Sequence, residues 1–186
     1  MRILVIGAGG VGASMASIAE TRSFFDHFVL ADISLARAEE AISQLDNRAK
    51  FAAAHVDARD KMSIKRLIEE TKADIVFNAC YPRMNEPIFG AACETKCNYI
   101  DMAMNLSEPH PTNPYEEVGI PLGKAQLDSD HAWRDRGILA LVGADASRLR
   151  RHSGTAPGCN LHLRSRRPHP AIQSPRGRAL GPHAAP

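Results

Sequence analysis

The sequence predicts a doubly wound parallel α/β sheet, and three observations predict it. Short apolar runs alternate with amphipathic segments over most of the 186 residues. The apolar runs lack strict alternation, as expected of strands covered by helices on both faces. A glycine-rich turn, "VIGAGGVG", joins the first run to the first amphipathic segment. Hydrophobic residues make up 44% of the chain, enough at this length for one well-buried domain plus an appendage.

The first strand is expected over residues 3–6, and after the turn Val11, Met15, Ile18 and Ala19 recur at helical spacing. A second strand at 28–31 precedes a helix carrying Leu35, Ala38, Ile42 and Leu45. Ser34 is placed as its N-cap, with a side-chain oxygen to accept from free backbone N–H groups. The third strand, 51–56, leads to Asp60 as the next N-cap and a stripe of Ile64, Leu67 and Ile68. The fourth, 75–78, precedes a helix with Ile88, Phe89 and Ala92. Strands at 99–101 and 138–142 complete six, the count of a Rossmann-like dinucleotide-binding domain. Between the last two lies a stretch rich in Pro and Asn, residues 104–123, whose length points to function rather than filler.

Gly7, Gly9 and Gly12 form a G-x-G-x-x-G pattern that follows a strand and opens a helix. The mechanism requires that context. Gly7 permits the tight turn, Gly9 lets a pyrophosphate approach the backbone, and Gly12 lets the helix pack closely on the strand. The helix N-terminus then offers free N–H groups to the phosphates. Asp32 ends the second strand, where a carboxylate accepts from both adenosine ribose hydroxyls and repels a 2′-phosphate. That favours NAD, while Arg37 in the first turn of the next helix is either a solvated helix residue or one that reaches such a phosphate, which keeps NADP open. Asp57, just past the third strand, approaches an adenine or is simply a polar strand end. Asn78 closes the fourth strand where a pyrophosphate and nicotinamide ribose pass, or else is a buried amide bonded to local backbone. No catalytic residue is assigned.

Charge is distributed unevenly. Residues 1–144 carry 15 Lys and Arg against 20 Asp and Glu, whereas the last 42 residues carry eight Arg against one Asp. The four cysteines, Cys80, Cys93, Cys97 and Cys159, follow no disulfide or zinc spacing. No metal site is expected. The opening "MRILVIG" lacks the features of a signal peptide, and no apolar run approaches a membrane span. A cytoplasmic protein with reduced thiols and no membrane partner is expected.

Several stretches resemble the saccharopine dehydrogenase family, specifically its N-terminal NAD(P)-binding domain. They are "MRILVIGAGGVGASMASIA", "VLADISLARAEEA", "HVDARD", "DIVFNACYPRMNEPIFGAACETKCNYIDMAM" and "PYEEVGIPLG". The Tyr-Ile-Asp at 99–101, before a long loop, is a fairly specific marker. The resemblance implies hydride transfer between a nicotinamide cofactor and a C–N bond of an amino-acid or polyamine substrate. It also implies nucleotide contacts at Gly7, Gly9, Gly12, Asp32, Asp57 and Asn78. Asp101 would stand near the nicotinamide, to position substrate or cofactor or to anchor a loop. A nucleotide-sensing module of the potassium-uptake type opens similarly but lacks the Tyr-Ile-Asp strand and the Pro-rich loop.

The resemblance stops at about Gly143, where the family continues into a large α+β domain with the substrate site and much of the dimer interface. The expected division is therefore 1–143 as the NAD(P)-binding domain and 144–186 as a basic tail. That tail has too little apolar material to offset ordering entropy, so it is expected to be disordered. It has eight Arg but no aromatic residue for base stacking, which argues against a nucleic-acid arm. Codons open to residues 145–152, shifted by one base, can spell Thr-His-Pro-Gly-Phe-Ala-Asp, with the Pro-Gly-aromatic turn of the family. A frameshift near residue 144 is thus expected, leaving a cofactor domain that is inactive alone and dimeric only if the further domain is present.

Overall fold

The computed structural model describes residues 1–143; residues 144–186, on which the expectations of a disordered tail and a shifted frame fall, lie outside the described residues. Strand β1 (Arg2–Ile6), helix α1 (Gly10–Glu20), β2 (His27–Asp32), α2 (Leu35–Ser43), β3 (Phe51–His55) and α3 (Lys61–Thr71) form the first half. Strand β4 (Ile75–Asn78), a 3-10 turn (Pro82–Met84), α4 (Asn85–Glu94), β5 (Asn98–Asp101), α5 (Lys124–Asp128), α6 (Asp130–Asp135) and β6 (Ala140–Leu141) form the second. All neighbours pair in parallel, in the order β3-β2-β1-β4-β5-β6. The order reverses between β1 and β4, which is where such sheets hold their ligands.

Alternation of side chains across the sheet builds two cores. Val5, Phe28 and Leu30 face α1 and α2, whereas Leu4, Ile6, Val76 and Tyr99 face α3, α4 and Trp133. Leu4, Val5 and Ile6 are almost wholly buried, so β1 is covered on both sides and reads as a continuous apolar run. Ser34 and Asp60 are the expected N-caps, accepting from Arg37 N and Met62 N.

Some elements differ from the expectation. Helix α1 buries Gly12, Ala16 and Ala19, while Val11 and Ile18 of the expected stripe are exposed. Its small residues face the sheet because Gly12 lies against Gly7, and bulk there would hold the helix away. Leu35 of α2 is likewise exposed, whereas Ala38, Ile42 and Leu45 are buried as expected. Strand β6 is two residues long rather than five. Side chains replace its ladder at both ends: Leu139 N donates to Asn98 Oδ1, and Gly143 N to Asp101 Oδ1. The 104–123 stretch is held by the antiparallel bridge of Glu108 with Ile120 and by Gly123 N–H on Asn105 O at 2.8 Å, and it leads into α5 and α6, too short to give a periodic signal.

Candidate functional site

Register brings the candidate residues to one edge of the sheet. Ile6 stands opposite Ala31 on one side and Asn78 on the other, and Asn78 stands opposite Asp101. The chain segments that leave β1, β2, β4 and β5 therefore start from one level.

The glycine turn follows directly from local sterics. Gly7 has φ +108°, in the region that favours glycine, and its N–H donates to Ala31 O at 2.7 Å. A Cβ on Gly12 would lie 1.8 Å from Gly7 O. Only glycine lets α1 begin there. Gly9 and Gly10 are the opposite case: a Cβ on either would meet no atom within 4 Å. They face open space above the N-terminus of α1. Ala13 N–H bonds to Gly9 O at 2.9 Å; the N–H groups of Gly10, Val11 and Gly12 precede it in the first turn, where an α-helix supplies no acceptor. The turn thus combines free donors, the positive end of a helix of 11 residues and room for a ligand.

Asp32 is tied into this turn. Its buried carboxylate accepts from Ala8 N through Oδ2 at 2.8 Å and from Ser34 N through Oδ1 at 2.9 Å. Arg37 approaches Oδ1 at 3.4 Å from an exposed position. Oδ2 has one backbone partner and retains capacity for a hydroxyl. The Asp32–Ala8 bond was not legible in the sequence, because it joins the end of β2 to the turn after β1.

Asp57 has a local role. It accepts from Arg59 N at 2.9 Å and from the Arg59 guanidinium at 2.7 Å. Those bonds hold its carboxyl well below the usual carboxylate range, at about 2. Among the described residues, no side-chain bond links it to the glycine turn.

Asn78 lies beneath the turn after β4, completely buried. Its Oδ1 accepts from Cys80 N at 2.9 Å, and its Nδ2 donates to Asn85 Oδ1 at 2.8 Å and to Tyr99 Oη at 3.0 Å. Tyr99 in turn donates to Asp101 Oδ2 at 2.9 Å. Asp101 also accepts from Gln126 Nε2 at 2.7 Å and Gly143 N at 2.6 Å, which anchors α5 and the exit of β6. Burial pushes its carboxyl above the usual range, against the pull of these three donors. Tyr99, Asn85 and Gln126 were not candidates from sequence reasoning. For Tyr99 the signal available was a polar group at a strand position whose alternation places it in the core; Asn85 and Gln126 lie in helices and gave no such signal.

The residues present fit a dinucleotide: an open cradle at Gly9 and Gly10, free N–H groups at a helix N-terminus, and a carboxylate with spare acceptor capacity at the end of the neighbouring strand. Among the described residues, no group of three or more His, Cys, Asp and Glu is placed to hold a metal ion, and no helix is long and apolar enough to cross a membrane.

Residues 3–141 match the family model described as the saccharopine dehydrogenase NADP binding domain. The chain is 34% identical over 156 residues to carboxynorspermidine synthase of Vibrio cholerae serotype O1, covering 77% of this chain and 36% of that one. It is 24% identical over 142 residues to carboxyaminopropylagmatine dehydrogenase of Synechocystis sp., covering 76% of this chain and 33% of the relative. The chain therefore spans about a third of the length of these relatives. Among solved structures, apo saccharopine dehydrogenase (L-Glu forming) from Saccharomyces cerevisiae superposes with a TM-score of 0.57 at 14% identity, over 76% of this chain and 26% of that one. That likeness establishes a shared fold.

Proposed function

The chain belongs to the saccharopine dehydrogenase family, and we propose that residues 1–143 hold a nicotinamide dinucleotide for hydride transfer at a C–N bond of an amino-acid or polyamine substrate. When bound, the dinucleotide would supply the hydride in its reduced form or accept it in its oxidised form. The chain's own part is binding and orientation, and residues 1–143 alone are expected to give no turnover. In this reading Gly7 and Gly12 shape the turn, and Gly9 exposes backbone to the pyrophosphate. Asp32 accepts from the adenosine ribose, Asp57 borders the adenine through its Arg59 pair, and Asn78 supports the backbone beside the nicotinamide ribose. The names of the relatives support the substrate class, both describing polyamine-related compounds.

The observation that carries the reading is the open space at Gly9 and Gly10, above the free donors of α1 and beside Asp32. Asp32 also supports a preference for NAD, since its carboxylate is buried at the strand end and would repel a 2′-phosphate. Arg37 stands over the same carboxylate and moderates the preference.

Calorimetric titration of the full chain with NADH and NADPH tests both statements. NADH is expected to bind more tightly. Asp32→Asn should weaken NADH about tenfold, as for a hydrogen bond to a charged group, and leave NADPH unchanged or tighter. Tighter NADPH binding by the unaltered chain would overturn the NAD preference. Binding of neither would overturn the dinucleotide reading itself.

A further inference from the structure

The buried polar chain beneath the sheet edge connects two places that sequence and motif treat separately. One end is Cys80 N–H, in the Ala79–Tyr81 backbone. That backbone adjoins the glycine turn: Ala79 N donates to Ile6 O at 2.9 Å, and a Cβ on Gly7 would lie 3.0 Å from Ala79 O. The other end is double. Gly143 N–H, at the exit of β6, reaches Asp101 Oδ1, and Gln126 of α5 reaches Oδ2 while accepting from Asn105 N at 2.9 Å. Gln126 and Asn105 also line a cleft of about 500 Å³ between α3, α4 and α5.

The direction of the bonds is fixed along the whole chain. Cys80 N–H needs an acceptor, so Asn78 must turn Oδ1 toward it and Nδ2 away. Both Nδ2 hydrogens are then taken, by Asn85 Oδ1 and Tyr99 Oη. Tyr99 accepts from Asn78 and has only its own proton to give, which goes to Asp101. Asp101 faces three donors, Tyr99 Oη, Gln126 Nε2 and Gly143 N, and accepts from all of them. Removing any member leaves a buried donor or acceptor without a partner, so the chain has one low-energy arrangement.

We propose that Tyr99 and Asp101 are positioning residues of the dinucleotide site: through Asn78 they hold the Ala79–Tyr81 backbone against the cofactor, and through Gln126 and Gly143 they tie it to α5 and the exit of the last strand. The proposal rests on the dinucleotide reading above. It adds that cofactor binding is felt at Gly143, across the second half of the sheet.

Tyr99→Phe in the full chain is the test, because it removes one oxygen and keeps the ring packed on Phe89 and Trp133, with centroids 5.1 and 6.2 Å away. NADH affinity is expected to fall about tenfold, the scale of a broken buried hydrogen bond. Ile64→Val, a change in the same core away from the polar chain, should lower the melting temperature without changing affinity. Amide exchange followed by NMR should slow at Cys80 and Gly143 when NADH binds the unaltered chain, and only at Cys80 in Tyr99→Phe. If Tyr99→Phe does not fold, Gln126→Ala at the far end should still weaken NADH about threefold and speed exchange at Gly143. Unchanged affinity in folded Tyr99→Phe or, where that does not fold, in Gln126→Ala, or no response of Gly143 to NADH in the unaltered chain, overturns the proposal. Absence of NADH binding by the unaltered chain would overturn the dinucleotide reading beneath it, and the coupling with it.

Discussion

Along one edge of the sheet, the two halves of this domain treat their polar groups in opposite ways. At the ends of β1 and β2 the donors of α1 have no helical acceptor, Gly9 and Gly10 face open space, and Asp32 keeps spare acceptor capacity. At the ends of β4 and β5, Asn78, Tyr99, Asp101 and Gln126 are buried and bonded to one another. On the proposed function, the first half receives the ligand and the second holds backbone still. The site's work would then be divided: groups that meet the ligand stay incompletely bonded, and groups that position them are saturated.

Glycine substitutions break this contrast most sharply. Gly12→Ala would place its methyl 1.8 Å from Gly7 O, a backbone atom that cannot move aside without shifting α1. The expected cost is about 3 kcal/mol or more, seen as a large drop in urea midpoint together with loss of NADH binding. Gly9→Ala meets no atom within 4 Å. It should leave the free energy of urea unfolding within about 0.5 kcal/mol of the unaltered protein while weakening NADH at least tenfold, because the added methyl occupies the ligand's place. A Gly9→Ala protein that binds normally would remove the open half of the comparison.

A smaller effect, read by pH, belongs to the second half, where Cys80 follows β4 and Cys97 precedes β5. Burial pushes the Cys97 thiol up to about 12 and the Cys80 thiol up to about 11, the latter helped by the Asp32 charge. In the unfolded chain both revert to the ordinary thiol value of 9.0. The folded state thus keeps protons that the unfolded state loses. The thiols' contribution to stability is complete below pH 9 and declines as pH rises toward 12. The urea midpoint should fall between pH 9 and 11, and the fall should be shallower in Cys97→Ala, whose thiol lies under Ala73 O, away from the nucleotide edge. An identical slope in the two proteins would count against Cys97 as a source.

Legibility followed the same division. Gly7, Gly9, Gly12 and Asp32 were readable because each answers a local demand: a positive φ, an open approach, a close helix contact and a strand-end carboxylate. The N-caps Ser34 and Asp60 were readable for the same reason, since the cap bond spans two or three residues. The face of α1 was misread because apolar periodicity marked Val11 and Ile18, whereas closeness to Gly7 selected the small residues instead. Asp57 could be placed at a strand end, yet only the structure shows its carboxylate committed to Arg59.

The sequence by itself determined the alternation of strands and helices, the glycine turn and the carboxylate that follows it, because these depend on sterics and bonding within a few residues. Tertiary structure alone decided what Asn78, Tyr99, Asp101, Gln126 and Gly143 do together. Their bonds span as many as 42 residues, and no spacing rule relates residues that meet only once the strands lie side by side in register. Burial then makes that meeting binding, since each group removed from water needs the partner the fold supplies.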